Sequence, residues 1–311
     1  VVRIAYLGPE GTFTEAALTQ ITAAGLIPAH GEAQRVPIDS TPAALDAVRD
    51  GAADYACVPI ENSIDGSVTP TLDSLAMGAP VQVFAETTLD VAFSIVVRPG
   101  AGAADVRTLA AFPVAAAQVR RWLAAHLPDA ELRPAYSNAD AACQVANGHA
   151  DAAVTSPLAA ARWELPALAE GVVDEPNART RFVLIGPPGP PPARTGADRT
   201  SVVFRVDNSP GALVAALAEF GIRGIDLTRI ESRPTRTGLG TYLFFADCVG
   251  HIDDAAVAEA LTALHRRCAD VRYLGSWPTG SASGAAPPPS DASARWLAGL
   301  REGRPDQSFG P

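Results

Sequence analysis

Residues 177–206, NARTRFVLIGPPGPPPARTGADRTSVVFRV, divide the chain into two differently built parts. Phe182 to Ile185 is an apolar run of strand type that stops at Gly186. Five of the seven residues from Gly186 to Pro192 are proline, which neither a helix nor a central strand tolerates. Residues 187–199 are therefore expected to form a semi-extended linker, reaching about 40 Å at ~3.1 Å per residue. TSVVFRV then alternates as a new strand. The first strand opens on Thr180, Arg181 and Phe182: a hydroxyl, a permanent cation and an aromatic anchor. Extended backbone sends neighbours to opposite faces. Thr180 and Phe182 should thus point one way and Arg181 the other, unless a bulge intervenes. A cation beside a buried strand calls for a carboxylate or another anion.

Upstream of this break, short apolar strands alternate with helical patterns. RIAYLG (3–8) leads through a Gly-Pro-Glu-Gly turn into a helix near Thr14. YACVPI (55–60) ends at the polar cluster Glu61-Asn62-Ser63. LDVAFSIVV (89–97) reads as one strand, followed by a helix with Val119, Trp122, Leu123 and His126 on one face. A helix over 138–147 and the strand AAVTS (152–156) complete the series. Such alternation predicts an α/β architecture with parallel sheets, either one doubly wound sheet or two lobes around a cleft. Downstream, the pattern is βαββαβ, the ferredoxin-like unit. Its helices carry Leu213, Leu217 and Phe220, then Val257, Leu261 and Leu264, and its central strands are LTRIESRP (227–234) and TYLFFADCV (241–249). Residues 278–311 are expected to be a disordered tail, composed of Gly, Ala, Pro and Ser. DASARWLAGLRE is the exception, with a short helix docked on a neighbour as the alternative.

Composition removes several function classes. A formal charge of -10 argues against nucleic-acid binding, which needs clustered Lys and Arg. No run approaches the ~20 apolar residues of a membrane span. With a strand beginning at Arg3, no signal peptide is expected, and the cytoplasm follows. Cys57, Cys143, Cys248 and Cys268 lie far apart in sequence and read as free thiols. The five histidines adjoin none of the polar clusters, so neither a Ser-His-Asp nor a Cys-His set is expected. Metal-ligand spacing and a dinucleotide fingerprint are lacking, and no cofactor or metal is expected.

The junctions between strands and helices carry the polar residues. The loop Gly8–Thr14 brings Thr12 and Phe13 to a helix N-terminus, which favours a carboxylate. Glu61, Asn62 and Ser63 sit at the carboxyl end of a strand, where α/β sheets bind ligands. Ser137 and Asn138 open a helix that shares a face with Gln144, and Thr155-Ser156 precede Pro157 at another. Each has a structural alternative as a helix cap or Asx turn. Four such junctions together suggest one polar cleft.

These motifs resemble prephenate dehydratase. The resemblance rests on GPEGTFT (8–14), VPIENSIDGSV (58–68), SNADAA (137–142), AAVTSPLAA (152–160) and NARTRFVLIG (177–186). GALVAALAEFGIRGIDLTRIESRP (211–234) is similar to the ACT regulatory domain. The resemblance implies a two-lobed, periplasmic-binding-protein-like α/β catalytic domain at 1–186, with lobe two at about 80–160, and a βαββαβ ACT domain at 200–277. It implies conversion of prephenate to phenylpyruvate, with loss of carbon dioxide and water and no cofactor. Thr180 would then be catalytic, with Arg181 orienting a substrate carboxylate or holding an ion pair. Glu61 would be the acid or the group that positions Thr180. Thr12, Phe13, Asn62, Ser63, Ser137, Asn138, Gln144, Thr155, Ser156 and Phe182 would line the site. Gly211, Ala212, Leu213 and Val214, with Glu231, Ser232, Arg233 and Pro234, would bind L-phenylalanine between two such domains, in a homodimer or homotetramer.

Overall fold

The computed structural model describes residues 1–29, 31–238, 240–280, 284–289 and 291–304. His30, Leu239 and tail positions 281–283, 290 and 305–311 lie outside the described residues. The chain separates into two compact units, Val1–Pro188 and Gly189–Pro311.

Unit 1 begins β1 (Val2–Leu7), α1 (Phe13–Ala23), β2 (Ala33–Ile38), α2 (Thr41–Arg49), β3 (Tyr55–Asn62), β4 (Gly66–Ser67), α3 (Thr69–Ala76) and β5 (Gln82–Asp90). It continues β6 (Phe93–Val97), β7 (Thr108–Ala111), α4 (Pro113–Gln118), α5 (Arg120–His126), β8 (Glu131–Pro134), α6 (Asn138–Ala146), β9 (Ala152–Thr155), α7 (Pro157–Arg162), β10 (Ala167–Val172) and β11 (Arg179–Gly186). Two sheets result, ordered β2-β1-β3-β11-β5 and β10-β6-β9-β7-β8, so unit 1 is a two-lobed α/β domain. Pro37 is tolerated because β2 is an edge strand. The first lobe's core holds Ile4, Tyr6, Leu18, Ile21, Phe182 and Leu184. In the second lobe an alanine seam (Ala139, Ala142, Ala153, Ala159) lets α6 and α7 approach the sheet closely.

Three expectations change here. The run 89–97 is not one strand: it breaks after Asp90, and β5 and β6 belong to different sheets. The second lobe's strands therefore run from Phe93 to Val172, rather than over 80–160. The sheets are mixed, not parallel. Pairing is parallel among β2, β1 and β3 and around β7, but β11 and β6 pair antiparallel with their neighbours. These are the strands through which the chain crosses between lobes, and a crossing strand returns against its neighbours. Finally, the helix through Val119 is two helices, because Val119 leaves helical geometry (φ -123°, ψ 16°).

Unit 2 is β12 (Asp198–Arg205), α8 (Ala212–Gly221), β13 (Leu227–Pro234), β14 (Tyr242–Val249), α9 (Ala255–Arg267) and β15 (Asp270–Pro278). This is the βαββαβ order, with an antiparallel sheet β13-β14-β12-β15. The strand starts inside the expected linker because Asp198 ties it down, its carboxylate accepting the Thr195 and Gly196 N–H groups (2.9 and 2.8 Å). The described part of the tail contains the helix given as the alternative for DASARWLAGLRE. Asp291–Arg301 forms a helix, α10. Before it, Ala285 N–H donates to Asp226 (3.1 Å), and Pro288 lies 3.3 Å from where a Cβ on Gly224 would sit.

Burial pushes the Cys57 and Cys248 thiols up to about 12. Only thiolate reacts readily. Iodoacetamide applied to the native chain at about pH 8 should therefore modify the part-exposed Cys143 well before either. Rapid labelling of Cys57 in folded protein would contradict this packing.

Candidate active site

The sequence Val58-Pro59-Ile60-Glu61-Asn62 sets the register that builds the site. Pro59 has no N–H to give the ladder, and a bulge falls there: Phe182 pairs with Pro59 but Arg181 with Glu61, leaving Ile60 extra. The shift places Asn62 opposite Thr180. Asn62 Nδ2 donates to Thr180 Oγ1 (2.9 Å). Its Oδ1 accepts the N–H groups of Ile64 (2.8 Å) and Asp65 (3.0 Å), which fixes the amide orientation. Ser63 N–H donates to Arg179 O (2.8 Å), and its Oγ accepts Arg179 N–H (2.9 Å) while reaching Asn177 O (3.3 Å). The segment entering Thr180 is thus pinned from both sides. Thr180 is 8% exposed, and its own hydroxyl proton has no acceptor among the described residues.

Arg181 faces the other way, as alternation requires. Its Nε and one NH2 group contact Glu61 Oε2 (3.2 and 2.9 Å), and the remaining nitrogen contacts Glu86 Oε2 (3.2 Å). Arg181 and Glu86 are both buried. The guanidinium is therefore engaged by protein carboxylates, which favours the ion pair over orientation of a substrate carboxylate. Glu61 is an acceptor in that pair. Phe182 is buried in the first lobe's core and does not line a cleft.

The remaining expected residues gather mainly as structure. Thr12 caps α1: its hydroxyl donates to Leu7 O (3.0 Å) and accepts Glu15 N–H (3.3 Å). Phe13 packs against the cores of both lobes and meets Phe93 edge-on (5.7 Å). Ser137 caps α6. Gln144 donates to Asp140 on the same helix (3.1 Å). Thr155 donates to Asn138 O and Ser156 to Gly11 O, both at 2.5 Å. Asn138 Oδ1 is buried without a partner among the described residues. Gly11 (φ +90°) must be glycine, since a Cβ would stand 3.1 Å from Ala159 and 3.4 Å from Ala139. The 8–14 loop thus seats against the starts of α6 and α7.

Other groups in this region were not legible as partners. Glu15 accepts Gly11 N–H (2.5 Å) and pairs with Arg162 (3.0 Å), which also meets Glu10. The spacing Thr12–Glu15 is a capping-box signal that would have marked Glu15. Burial, reinforced by the Glu15 and Glu10 charges, pushes the Tyr6 phenol up to about 12. Gln118 donates to Asp65 (3.0 Å) across the lobes. Among the described residues, no group of three or more His, Cys, Asp or Glu side chains could hold a metal ion.

In unit 2, Gly211 caps α8 in the left-handed region (φ +81°) with no side-chain cap, so neither Asn208 nor Ser209 serves that role. Ala212 and Leu213 line a hollow of about 250 Å³ with Asn208, Ser209, Thr241 and Tyr242. Val214 is exposed. Glu231, Ser232, Arg233 and Pro234 lie on β13, an edge strand, and do not line that hollow. Within one chain the two segments expected to bind L-phenylalanine are separate.

Comparison with known proteins agrees with this architecture. The prephenate dehydratase family model matches residues 4–189, and the ACT domain model matches residues 200–266. The chain is 80% identical over 311 residues to a prephenate dehydratase of Mycobacterium tuberculosis H37Rv, spanning 99% of this chain and 97% of that one. A prephenate dehydratase from Arthrobacter aurescens, solved in complex with L-Phe, is 40% identical with a TM-score of 0.86 over 97% of this chain and all of that one. GqqA, described as a novel type of quorum quenching acylase, is 30% identical with a TM-score of 0.78 and covers 89% of this chain and 97% of its own. With the motifs, both units and these relatives in agreement, the chain belongs to the prephenate dehydratase family.

Proposed function

We propose that the chain catalyses the decarboxylating dehydration of prephenate to phenylpyruvate in phenylalanine biosynthesis. The reaction breaks the C4–oxygen bond and the bond from C1 to its carboxylate. The electrons of the second bond enter the ring as it becomes aromatic, while the departing hydroxide takes up a proton and leaves as water. Aromatisation supplies the driving force, so the protein need only orient the ring and assist the leaving hydroxyl. Thr180 carries this reading. Asn62 occupies its acceptor side, leaving its proton to hydrogen-bond the leaving oxygen, with solvent as the proton source. Glu61, bound to Arg181, acts as a counter-ion that fixes the strand ends rather than as the acid. The route uses no cofactor.

GqqA shares the fold under a different description, and fold alone does not settle activity. The 80% identity to prephenate dehydratase favours the dehydratase. Incubating the purified chain with prephenate tests it: phenylpyruvate should form, and its absence would overturn the reading.

We assign L-phenylalanine to unit 2 as a feedback inhibitor, its carboxylate at the uncapped start of α8. Val214, Ile222 and Ile230 are exposed along α8 and edge strand β13. These apolar side chains favour a homodimer or homotetramer in which Gly211–Val214 of one copy face Glu231–Pro234 of another. Inhibition then reflects tighter binding to a less active state. A chain carrying Gly211→Ala and Ser232→Ala should need more phenylalanine for half-inhibition, and an unchanged inhibition constant would remove this site. The free cysteines support the cytoplasm as its location. No described helix is long and apolar enough to cross a membrane.

A further inference from the structure

The Gly8–Thr14 loop extends from lobe one, yet lobe two holds it as well. Gly11 is gripped from both sides: its N–H donates to Glu15 of α1 (2.5 Å), and its carbonyl accepts from Ser156 at the start of α7 (2.5 Å). The same Glu15 carboxylate reaches Arg162, the last residue of α7 (3.0 Å), and Arg162 also meets Glu10 in the loop. Glu15 is buried and has a cation from each lobe, because Arg35 on β2 lies 3.8 Å from it. The junction is built so that it can part. On separation Glu15 keeps Arg35 and the Gly11 N–H, so no uncompensated charge is left buried, the usual obstacle to breaking such a pair. The Arg162 side chain is 34% exposed and already meets water. Ser156 keeps the Ala159 N–H that it accepts within lobe two (3.1 Å).

We propose that Arg162 is a positioning residue: with Glu15 it forms a clasp that holds the two lobes of unit 1 closed, and it thereby sets how readily the enzyme takes up its substrate. Neither side chain touches the reacting atoms. Arg162 acts through Glu15 and the Gly11 backbone, which fix the loop against lobe two. Before substrate arrives, the clasp keeps the closed arrangement populated. A ligand that needs one arrangement binds more weakly in proportion to the fraction of chains that lack it. Loss of the clasp should therefore raise KM. The chemical step should keep its rate, because at saturation the substrate itself holds the lobes together. The effect on KM rests on the dehydratase reading for its substrate, whereas the clasp itself does not.

Steady-state kinetics and hydrogen exchange on the full chain test the proposal together. Arg162→Gln should raise KM for prephenate by about tenfold, the size of one charge-assisted hydrogen bond, and leave kcat nearly unchanged. Arg162→Lys, which keeps the charge without the fork, should recover part of the loss. Hydrogen exchange read by mass spectrometry on the ligand-free chain needs no turnover. In Arg162→Gln the amides of residues 8–14 should exchange faster, while those of α6 and β9 keep their wild-type protection. That pattern separates a parting of the lobes from a loosening of lobe two. An unchanged KM, a fall in kcat at unchanged KM, or unchanged exchange over 8–14 would each overturn the clasp. If the wild-type chain forms no phenylpyruvate, the dehydratase reading falls, and the exchange over 8–14 alone decides the clasp.

Discussion

Thr180→Ala is expected to lower kcat for prephenate by about 10²- to 10⁴-fold, the range for a group that assists proton transfer. The hydroxyl is held at one side by Asn62 and has no other partner among the described residues, so its removal takes away the reaction contact and the Asn62 bond. The fold should survive, because the apolar anchor of the strand is Phe182. Thr180→Ser, which keeps the hydroxyl, should retain most activity, and Thr180→Val, which keeps the shape, should not. Steady-state rates with circular dichroism on the same samples make the comparison. A folded Thr180→Ala chain within a few-fold of wild type would remove Thr180 from the mechanism.

Arg181→Met is expected to act on stability first. It would leave Glu61 and the buried Glu86 facing each other without their cation. Breaking a buried ion pair from one side costs about 3–5 kcal/mol, because an uncompensated charge stays behind. Adding Glu61→Gln and Glu86→Gln to that variant should recover much of the loss, since the stranded charges are then gone. Arg181→Lys should also be impaired, because a point charge does not reproduce a guanidinium fork shared between two carboxylates. Urea unfolding followed by far-ultraviolet circular dichroism reads all of these. An unchanged midpoint for Arg181→Met would show that the cluster contributes little.

The contrast between these neighbours shows what a sequence discloses. Local periodicity was legible: LTRIESRP forms β13 with the expected ends, and Arg181 turns away from Thr180 as a strand demands. Long-range pairing was not. Glu86, which meets Arg181 from 95 residues away, stands in an apolar run with nothing to mark its partner. The bulge at Ile60 needed knowledge of which strand faces Pro59. The run 89–97 looked like one strand because a period of two continues unchanged where the chain passes from one sheet to another. Thr12, Ser137 and Ser156 were read as ligand contacts with helix caps as the alternative, and their hydroxyls do cap helices. Cap and ligand contact call for the same small polar residues at the same junctions, so sequence alone could not divide them.

A double-mutant cycle on kcat for prephenate tests most directly whether Asn62 and Thr180 act as one device. If Asn62 works by holding the Thr180 hydroxyl, the Asn62→Ala, Thr180→Ala chain should be no slower than Thr180→Ala alone. Multiplicative losses would show that the two residues act independently and would contradict the account.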